Sequence, residues 1–288
     1  MAPGGGPRPP AESVTLAFAW PEEFRAELLV RHESQQNAQP PVQAFARRTL
    51  SAARRDGELW ISTYDDRPGR TPEAGRAVRG SDALVQVVTP QGAFLRAELT
   101  DRALRLLESA DRARREEMRR ALVRAAAEDW EITVGAWAGR RLERDRPLHK
   151  TFQGSVPLLP IVQSLLDVEY VFDGRVPCAP DETERRCVAL VYRGETASSD
   201  EAATLERIRS LAPVTTDEPV TEAFHGGFSI TLVTEPDTLV PHRMVSRERL
   251  RLRVALPDGQ VREVEETAED EYVFKRMTAP ERGPTGST

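Results

Sequence analysis

Alternation of hydrophobic and polar residues dominates the first hundred positions of the chain. Four apolar residues of the segment VTLAFAW share one face: Val14, Leu16, Phe18 and Trp20. The segment FRAELLVRHE, which begins at Phe24, alternates apolar residues with charged ones in the same way. A period of two residues is typical of a β-strand with one buried face. This pattern predicts about six strands before residue 100.

Turn residues divide these strands into hairpins. Asp56 and Gly57 follow the segment that begins at Val42, and the next segment is ELWISTY. An Asp-Gly pair adopts the positive φ angles that a tight hairpin turn needs. The tripeptide PQG separates ALVQVVT from AFLRAEL and predicts a second hairpin. A longer loop, rich in proline and glycine, is expected from Asp65 to Ser81.

The pattern becomes helical after Thr100, which with Asp101 is a plausible N-cap. The following segment contains no proline or glycine before Gly135, and apolar residues recur in it every three to four positions: Leu104, Leu107, Leu122, Ala126, Trp130 and Val134. This spacing predicts one or two helices with a buried stripe. The run RARREEMRR indicates a solvated face because glutamates neutralise its arginines; contact with phosphate or acidic lipid is the alternative.

Strands resume in the second half of the chain, and a short helix interrupts them. Strands are predicted near Leu148–Phe152, Val168–Val176 and Cys187–Arg193. The segment SDEAATLERIRSLA predicts a helix with Ser199 or Asp200 as its cap. Its apolar stripe consists of Leu205, Ile208 and Leu211.

The last strands carry the clearest β signal. Arg249, Arg251 and Arg253 alternate with leucine and valine before the turn Pro257-Asp258-Gly259. Glu263 and Glu265 follow that turn and can lie opposite the arginines. Such cross-strand pairs contribute about 0.2–1 kcal/mol each. We therefore expect a charged face on the final hairpin.

The order of elements predicts the fold class. Strands outnumber helices, and the helices are too few for a βαβ fold. We predict an α+β protein with a single large curved antiparallel sheet (a half-barrel), one long helical segment and one short helix packed on its concave face. We expect a disordered tether at residues 1–12, one domain at 13–277 and a disordered tail at 278–288.

Composition excludes some classes of partner. The formal net charge is −6 and 38 of the 40 basic residues are arginine, so no basic excess indicates nucleic-acid binding. No stretch reaches the roughly 18 apolar residues of a membrane span. The first residues, MAPGGGPRPPAES, contain no apolar region of a secretory signal. The chain is then either cytoplasmic or the mature part of an exported protein.

We find no catalytic motif, and we predict no enzyme activity, cofactor or metal. The chain contains no G-x-S-x-G, P-loop, G-x-G-x-x-G or H-E-x-x-H. The tripeptide HGG at His225 resembles an oxyanion turn of esterases, but a glycine-rich strand entry explains it more simply. The acidic runs DETE and EETAEDE lack the rhythm of a calcium loop and are interpreted as exposed.

The two cysteines, Cys178 and Cys187, lie at the two shoulders of one predicted hairpin. Their spacing does not suit zinc or a C-x-x-C redox pair. Hairpin shoulders come close enough for a disulfide, which in the chain-entropy model stabilises by about 2.5–3 kcal/mol. We predict a disulfide, with two reduced thiols as the alternative. A disulfide in turn indicates an oxidising compartment.

Trp130 and Trp137 are seven residues apart, which would place them on one face of the long helix. Core packing against the sheet is the simpler interpretation. The functional interpretation is an apolar cavity between sheet and helix, lined by these two residues together with Trp20 and Phe18.

The element order, from about residue 12 to 277, resembles the half-barrel carriers of the bacterial envelope, the Lol-type lipoprotein carriers and their lipid-binding relatives. The cysteine hairpin and the turn TEPDTLVPH resemble uncharacterised envelope proteins. The resemblance implies a periplasmic or cell-envelope protein that binds a lipid, an acyl chain or a lipoprotein between sheet and helix. The alternative is a structural or interaction protein of the envelope with a filled core and a protein partner.

Overall fold

A computed structural model describes residues 12–65, 84–108, 111–210 and 219–277. The predicted tether (except Glu12) and tail, most of the loop predicted at Asp65–Ser81, and Leu211 lie outside the described residues. In the described residues, no helix is long and apolar enough to cross a membrane.

The described residues contain thirteen strands, nearly all in one antiparallel sheet. The strands are β1 (Ser13–Thr15), β2 (Glu23–Gln36), β3 (Val42–Arg55), β4 (Glu58–Asp65), β5 (Leu84–Val88), β6 (Phe94–Leu99), β7 (Arg141–Glu143), β8 (Leu148–Val156), β9 (Leu159–Val176), β10 (Cys187–Thr196), β11 (Val220–Thr234), β12 (Pro241–Ala255) and β13 (Val261–Arg276). Eleven of them form a sheet in the order β6-β5-β4-β3-β2-β13-β12-β11-β10-β9-β8, and β1 pairs with β7 separately.

Three α-helices accompany the sheet: α1 (Asp101–Glu108), α2 (Arg112–Trp130) and α3 (Glu201–Arg209). A π-helical segment, Glu131–Gly135, continues α2, and a 3₁₀ turn, Ser198–Asp200, precedes α3. The side chain of Asp111 caps α2 by accepting a hydrogen bond from the Arg114 N–H at 3.0 Å. The predicted cap Thr100 receives the Ala103 N–H at 3.4 Å.

Both α2 and α3 pack on the same face of the eleven-stranded sheet, which we call the helix face. Even-numbered residues of β9 point to this face, and they include Val162, Ser164, Leu166 and Tyr170. Ser164 contacts Thr204 of α3, whereas Tyr170 contacts Trp137, which follows α2 in the chain. The opposite face of the sheet, which carries the odd-numbered residues of these strands, we call the open face. The predicted fold class, an α+β protein with one large open antiparallel sheet, is confirmed.

Several local predictions differ from the structure. The strand predicted over VTLAFAW ends at Thr15, although Leu16 and Trp20 keep the buried positions of the alternation. This is because the backbone N–H groups of Leu16, Ala17 and Ala19 donate hydrogen bonds to carbonyl groups in loops, and not to a strand of the main sheet. The long strand β11 was not separately predicted, since its glycines and polar residues dilute the pattern.

The placement of Trp130 and Trp137 on one helix face is wrong. The α-helix ends at Trp130, and the π-helical segment after it changes the angular spacing of the residues that follow. Trp137 then lies in the turn beyond Gly135. The two indoles are both buried but belong to different places along the helix face.

The carboxylate of Asp200 joins α3 to the sheet. Oδ2 of Asp200 accepts hydrogen bonds from the Leu165 N–H of β9 at 2.9 Å, and from Arg207, Ser164 and Thr204 at 3.0–3.1 Å. Asp200 was predicted as a helix cap, but its side chain makes no capping bond to the helix backbone. The hydrogen bond from Arg207, followed by the one from Leu165, lowers the pKa of Asp200 to about 2.

We predict that Asp200→Asn lowers the free energy of unfolding at pH 7 by about 1–3 kcal/mol, because charge-assisted hydrogen bonds are lost. Since the folded pKa is depressed, the contribution of Asp200 is present above its ordinary pKa of 3.8 and is lost as the pH falls through about 2. Urea unfolding across this pH range measures both effects. Asp145→Asn, in an exposed turn, is the matched control; equal losses in both variants would contradict the prediction.

Candidate functional site

The four aromatic residues predicted to line a cavity lie in the hydrophobic core. Phe18 contacts Trp130 with ring centroids 5.7 Å apart, and Trp20 contacts Trp130 at 5.9 Å. Phe18 and Trp20 also contact each other at 5.9 Å. Trp137 packs instead against Tyr170 at 5.4 Å. The structure thus brings three of the four together and leaves Trp137 in a separate contact.

The polar edges of these indoles are satisfied by the protein itself. Nε1 of Trp130 donates to the Gly92 carbonyl at 2.8 Å, that of Trp20 to Leu239 at 3.0 Å, and that of Trp137 to Ile132 at 2.7 Å. Buried indole N–H groups with backbone partners are typical of a packed core. Neither of the two cavities described below is lined by these side chains.

The predicted disulfide is confirmed. Cys178 follows β9 and Cys187 opens β10, opposite Val176, and their sulfur atoms are bonded. The Cα atoms lie 5.0 Å apart, which is within the usual range for a disulfide. The cross-link therefore closes the loop that connects β9 to β10.

A row of polar side chains crosses eight strands on the open face. In order from β8 to β3, the residues that face each other in register are His149, Glu169, Arg193, Ser229, Arg247, Glu269, Glu33 and Gln43. Neighbours in this row are joined by contacts: Nε of Arg193 to Glu169, Nε of Arg247 to Glu269 at 2.8 Å, and Nε2 of Gln43 to Glu33 at 2.7 Å. We call this set the polar row.

The polar row is interrupted at β11, where the chain places small residues. Ser229 lies between Arg193 and Arg247, and Gly227 lies beside Arg249 on the same face. A groove of about 410 Å³ lies there, lined also by Gln35 and Thr267 from β2 and β13. It exists because β11 carries no long side chain where both of its neighbours do. We call it the β11 groove.

Two arginines in the wall of the β11 groove retain free donors. Arg247 uses Nε for Glu269, and Arg249 uses Nε for Glu265 at 2.5 Å. Within the described part of the chain, the terminal NH groups of these two guanidinium groups make no hydrogen bond. A guanidinium fork of this kind binds a carboxylate or phosphate with two parallel hydrogen bonds.

The carboxylate beside these arginines is ionised at neutral pH. Burial by itself would raise the pKa of Glu269, but hydrogen bonds and charge from Arg247, and then from Arg31, outweigh it. The pKa of Glu269 therefore lies below its ordinary value of 4.5. The groove consequently presents fixed charges of both signs.

A second, smaller cavity of about 200 Å³ lies where β9, β10 and β11 meet the first residue of α3. Its walls carry three carboxylates and an imidazole, from Asp167, Glu195, Glu201 and His225. His225 is the residue of the HGG motif, and its Nε2 lies 3.9 Å from Glu195. The hydroxyl groups of Thr196 and Ser198 also line this cavity. HGG lies inside β11, which agrees with the strand interpretation.

Sequence reasoning missed the β11 groove but had a signal for it. In the segment HGGFS three of the five residues are small, and Arg247 and Arg249 lie on the neighbouring strand, β12. Without the strand register, nothing in the chain shows that Gly227 and Ser229 face those arginines. Comparison with models of known protein families and with curated proteins found no match for the chain.

We predict that Trp130→Ala lowers the free energy of unfolding by about 3–5 kcal/mol, because it removes a packed indole and leaves the Gly92 carbonyl without its donor. Met118→Ala, at an exposed position of the same helix, should change it by less than about 0.5 kcal/mol. Urea unfolding measures both. A loss below about 1 kcal/mol for Trp130→Ala would indicate a loose cavity in place of a filled core.

We predict that the oxidised protein, unfolded without reductant, shows no titratable thiol. Replacing Cys178 and Cys187 together by alanine should lower the free energy of unfolding by about 2.5–3 kcal/mol, because the unfolded chain regains the freedom of the closed loop. Thiol titration and urea unfolding check the two parts. Two thiols in the unreduced protein would contradict the disulfide.

Proposed function

We propose that this is a non-enzymatic protein of the bacterial cell envelope that binds a partner protein in the β11 groove. The observation that carries the proposal is the interruption of the polar row at Gly227 and Ser229. A row of paired charges across a sheet is a solvated surface, whereas a gap of about 410 Å³ bordered by two arginines with free donors offers both space and hydrogen-bond donors to a partner. The open face is also the face that α2 and α3 leave uncovered.

The packing of the helix face supports this interaction function over the binding of an apolar ligand. A lipid or acyl chain between sheet and helix needs an unfilled apolar space, whereas Trp20, Trp130 and Phe18 are in mutual contact. An alkyl chain there would have to separate these rings and break the indole hydrogen bonds. We therefore favour the alternative in which the core is filled.

The proposed compartment follows from the disulfide. Structural disulfides persist in oxidising compartments, such as the bacterial periplasm, and are rare where thiols are kept reduced. Cys187 is fully buried and Cys178 nearly so. The periplasm supplies the oxidising conditions that such a bond requires.

The dimensions of the groove define the part of the partner that it fits. The lining residues come from four neighbouring strands, β2, β13, β12 and β11, so the groove runs across them for about 14 Å, or three interstrand spacings. This length accommodates roughly four residues of an extended peptide. An acidic side chain in that peptide would meet the terminal NH groups of Arg247 and Arg249. We propose an extended segment with at least one carboxylate.

The test uses a photoreactive residue at Thr267, in the groove, in protein expressed in its native host. We expect a cross-linked partner whose yield falls at least tenfold in Gly227→Trp. A Cβ at Gly227 would meet only the Gly194 carbonyl, at 3.7 Å, so the new side chain fills the groove without a backbone clash. Val261→Trp, exposed on the same face outside the groove, is the control.

Charge is tested separately. The double variant Arg247→Ala/Arg249→Ala should lose the cross-link, whereas Arg251→Ala/Arg253→Ala removes the same charge from the same strand and should retain it. A cross-link unaffected by Gly227→Trp would contradict the groove. Lipid that copurifies in native mass spectrometry and disappears on substitution of Trp130 would contradict the filled core and support an apolar ligand.

A further inference from the structure

An imidazole lies against the disulfide. One ring nitrogen of His242 and the sulfur atoms of Cys178 and Cys187 all lie within 4.8 Å of one another. Both cysteines are buried and His242 is partly buried. A disulfide that only closes a hairpin does not require a neighbouring imidazole. The position of His242 therefore needs a separate explanation.

Rigid elements bring the three side chains together. Cys187 opens β10 opposite Val176, and the next residue, Val188, pairs with Thr234 of β11. Thr234 pairs in turn with Pro241, the residue before His242 in β12. Three adjacent strands thus fix the positions of Cys187 and His242, which are 55 residues apart in the sequence.

His242 is oriented by a carboxylate. Nε2 of His242 lies 3.1 Å from Oε1 of Glu235, and Oε2 of Glu235 accepts a hydrogen bond from the Thr238 hydroxyl at 2.8 Å. Histidines that bind metals are typically held in this way, by a carboxylate on one ring nitrogen that fixes the ring and raises its basicity. Because Glu235 contacts Nε2, Nδ1 is the ring nitrogen of His242 that is left for a ligand.

We propose that Cys178, Cys187 and His242 form a binding site for Zn²⁺ or a similar thiophilic metal ion when the disulfide is reduced. In tetrahedral zinc coordination the bond lengths of about 2.3 Å to sulfur and 2.0–2.1 Å to nitrogen place two sulfur ligands about 3.8 Å apart, and sulfur and nitrogen about 3.6 Å apart. In the oxidised structure the two sulfur atoms are bonded to each other, so they reach this separation only after the bond breaks, and the imidazole nitrogen already lies within 4.8 Å of both.

The reduction requires a dithiol donor. A thiolate of the donor attacks Sγ of Cys178, the less buried of the two, and the sulfur–sulfur bond breaks, leaving its electron pair on Sγ of Cys187. The second thiol of the donor then releases Cys178, so that the donor is oxidised to a disulfide and both cysteines are reduced. On metal binding the two thiols lose their protons to solvent, and the oxidation state of the metal does not change.

Two cysteines and one histidine leave the fourth position of a tetrahedral ion for water or another ligand. This is the composition of an open zinc site, in contrast to a closed structural site with four protein ligands. Within the described residues the cluster has three ligand atoms, one short of a closed site, and the third ligand, from β12, is one that the cysteine spacing alone does not reveal. The oxidised state holds no ligand pair, so reduction switches the site on.

The test uses Co²⁺ as a spectroscopic probe of protein reduced by a phosphine under argon. We expect a single Co²⁺ per chain, with a sulfur-to-cobalt charge-transfer band and the intense visible bands of tetrahedral coordination, and none in the oxidised protein. His242→Ala should weaken binding at least tenfold. Glu235→Gln should retain the bands and weaken binding about 10–100-fold. His149→Ala, an exposed histidine, is the control.

A thermal unfolding measurement covers the case in which reduction loosens the hairpin. Zn²⁺ should raise the midpoint of the reduced protein and leave that of the oxidised protein unchanged. Equal metal binding in both states, unchanged affinity in His242→Ala, or a reduced protein that remains unfolded with Zn²⁺ would each overturn the proposal. None of these outcomes bears on the β11 groove.

Discussion

The pairing of β2 with β13 holds the two halves of the molecule in one sheet. Strands β2 to β6 form one meander and β8 to β13 another, and the two meet only through this pairing in the eleven-stranded order. Phe274 faces Leu28 and Tyr272 faces Val30 across it, on the helix face. His32 Nδ1 and Asp270 Oδ1 lie 2.7 Å apart at the same junction. Residues more than 200 positions apart must therefore find each other before the core can close.

The other features follow from which face of this sheet is buried. Helices α2 and α3 pack on the helix face. Trp130 of α2 contacts Trp20 there, and Thr204 of α3 donates a hydrogen bond to Ser164 of β9. The open face keeps its backbone hydrogen bonds within the sheet and is covered mainly by arginine and glutamate side chains. Because arginines such as Arg193, Arg243 and Arg247 reach a carboxylate on a neighbouring strand, the charges form ordered rows. The polar row leaves a groove where β11 carries Gly227 and Ser229 in place of long side chains.

The same strand, β11, also connects the two proposed sites. Near one end it places Gly227 and Ser229 between arginines, and at its other end Thr234 bridges β10 and β12 beside Cys187 and His242. The two sites differ in chemistry. The groove is open, polar and already formed, whereas the cysteine–histidine cluster becomes a ligand set only when an electron pair is added to the disulfide. One depends on surface shape and the other on redox state.

The chain alone determined the elements in which local spacing is decisive. The alternation after Phe24, the Asp56-Gly57 turn and the facing of Arg251 and Glu265 follow from a period of two and from hairpin geometry, which involve only near neighbours. The disulfide was predictable for the same reason, because its two cysteines flank one hairpin. The order of the strands was not, since nothing local pairs β2 with β13. The tertiary structure alone placed His242 beside Cys187, and Gly227 beside Arg249, because these contacts depend on the register between strands that are distant in the sequence.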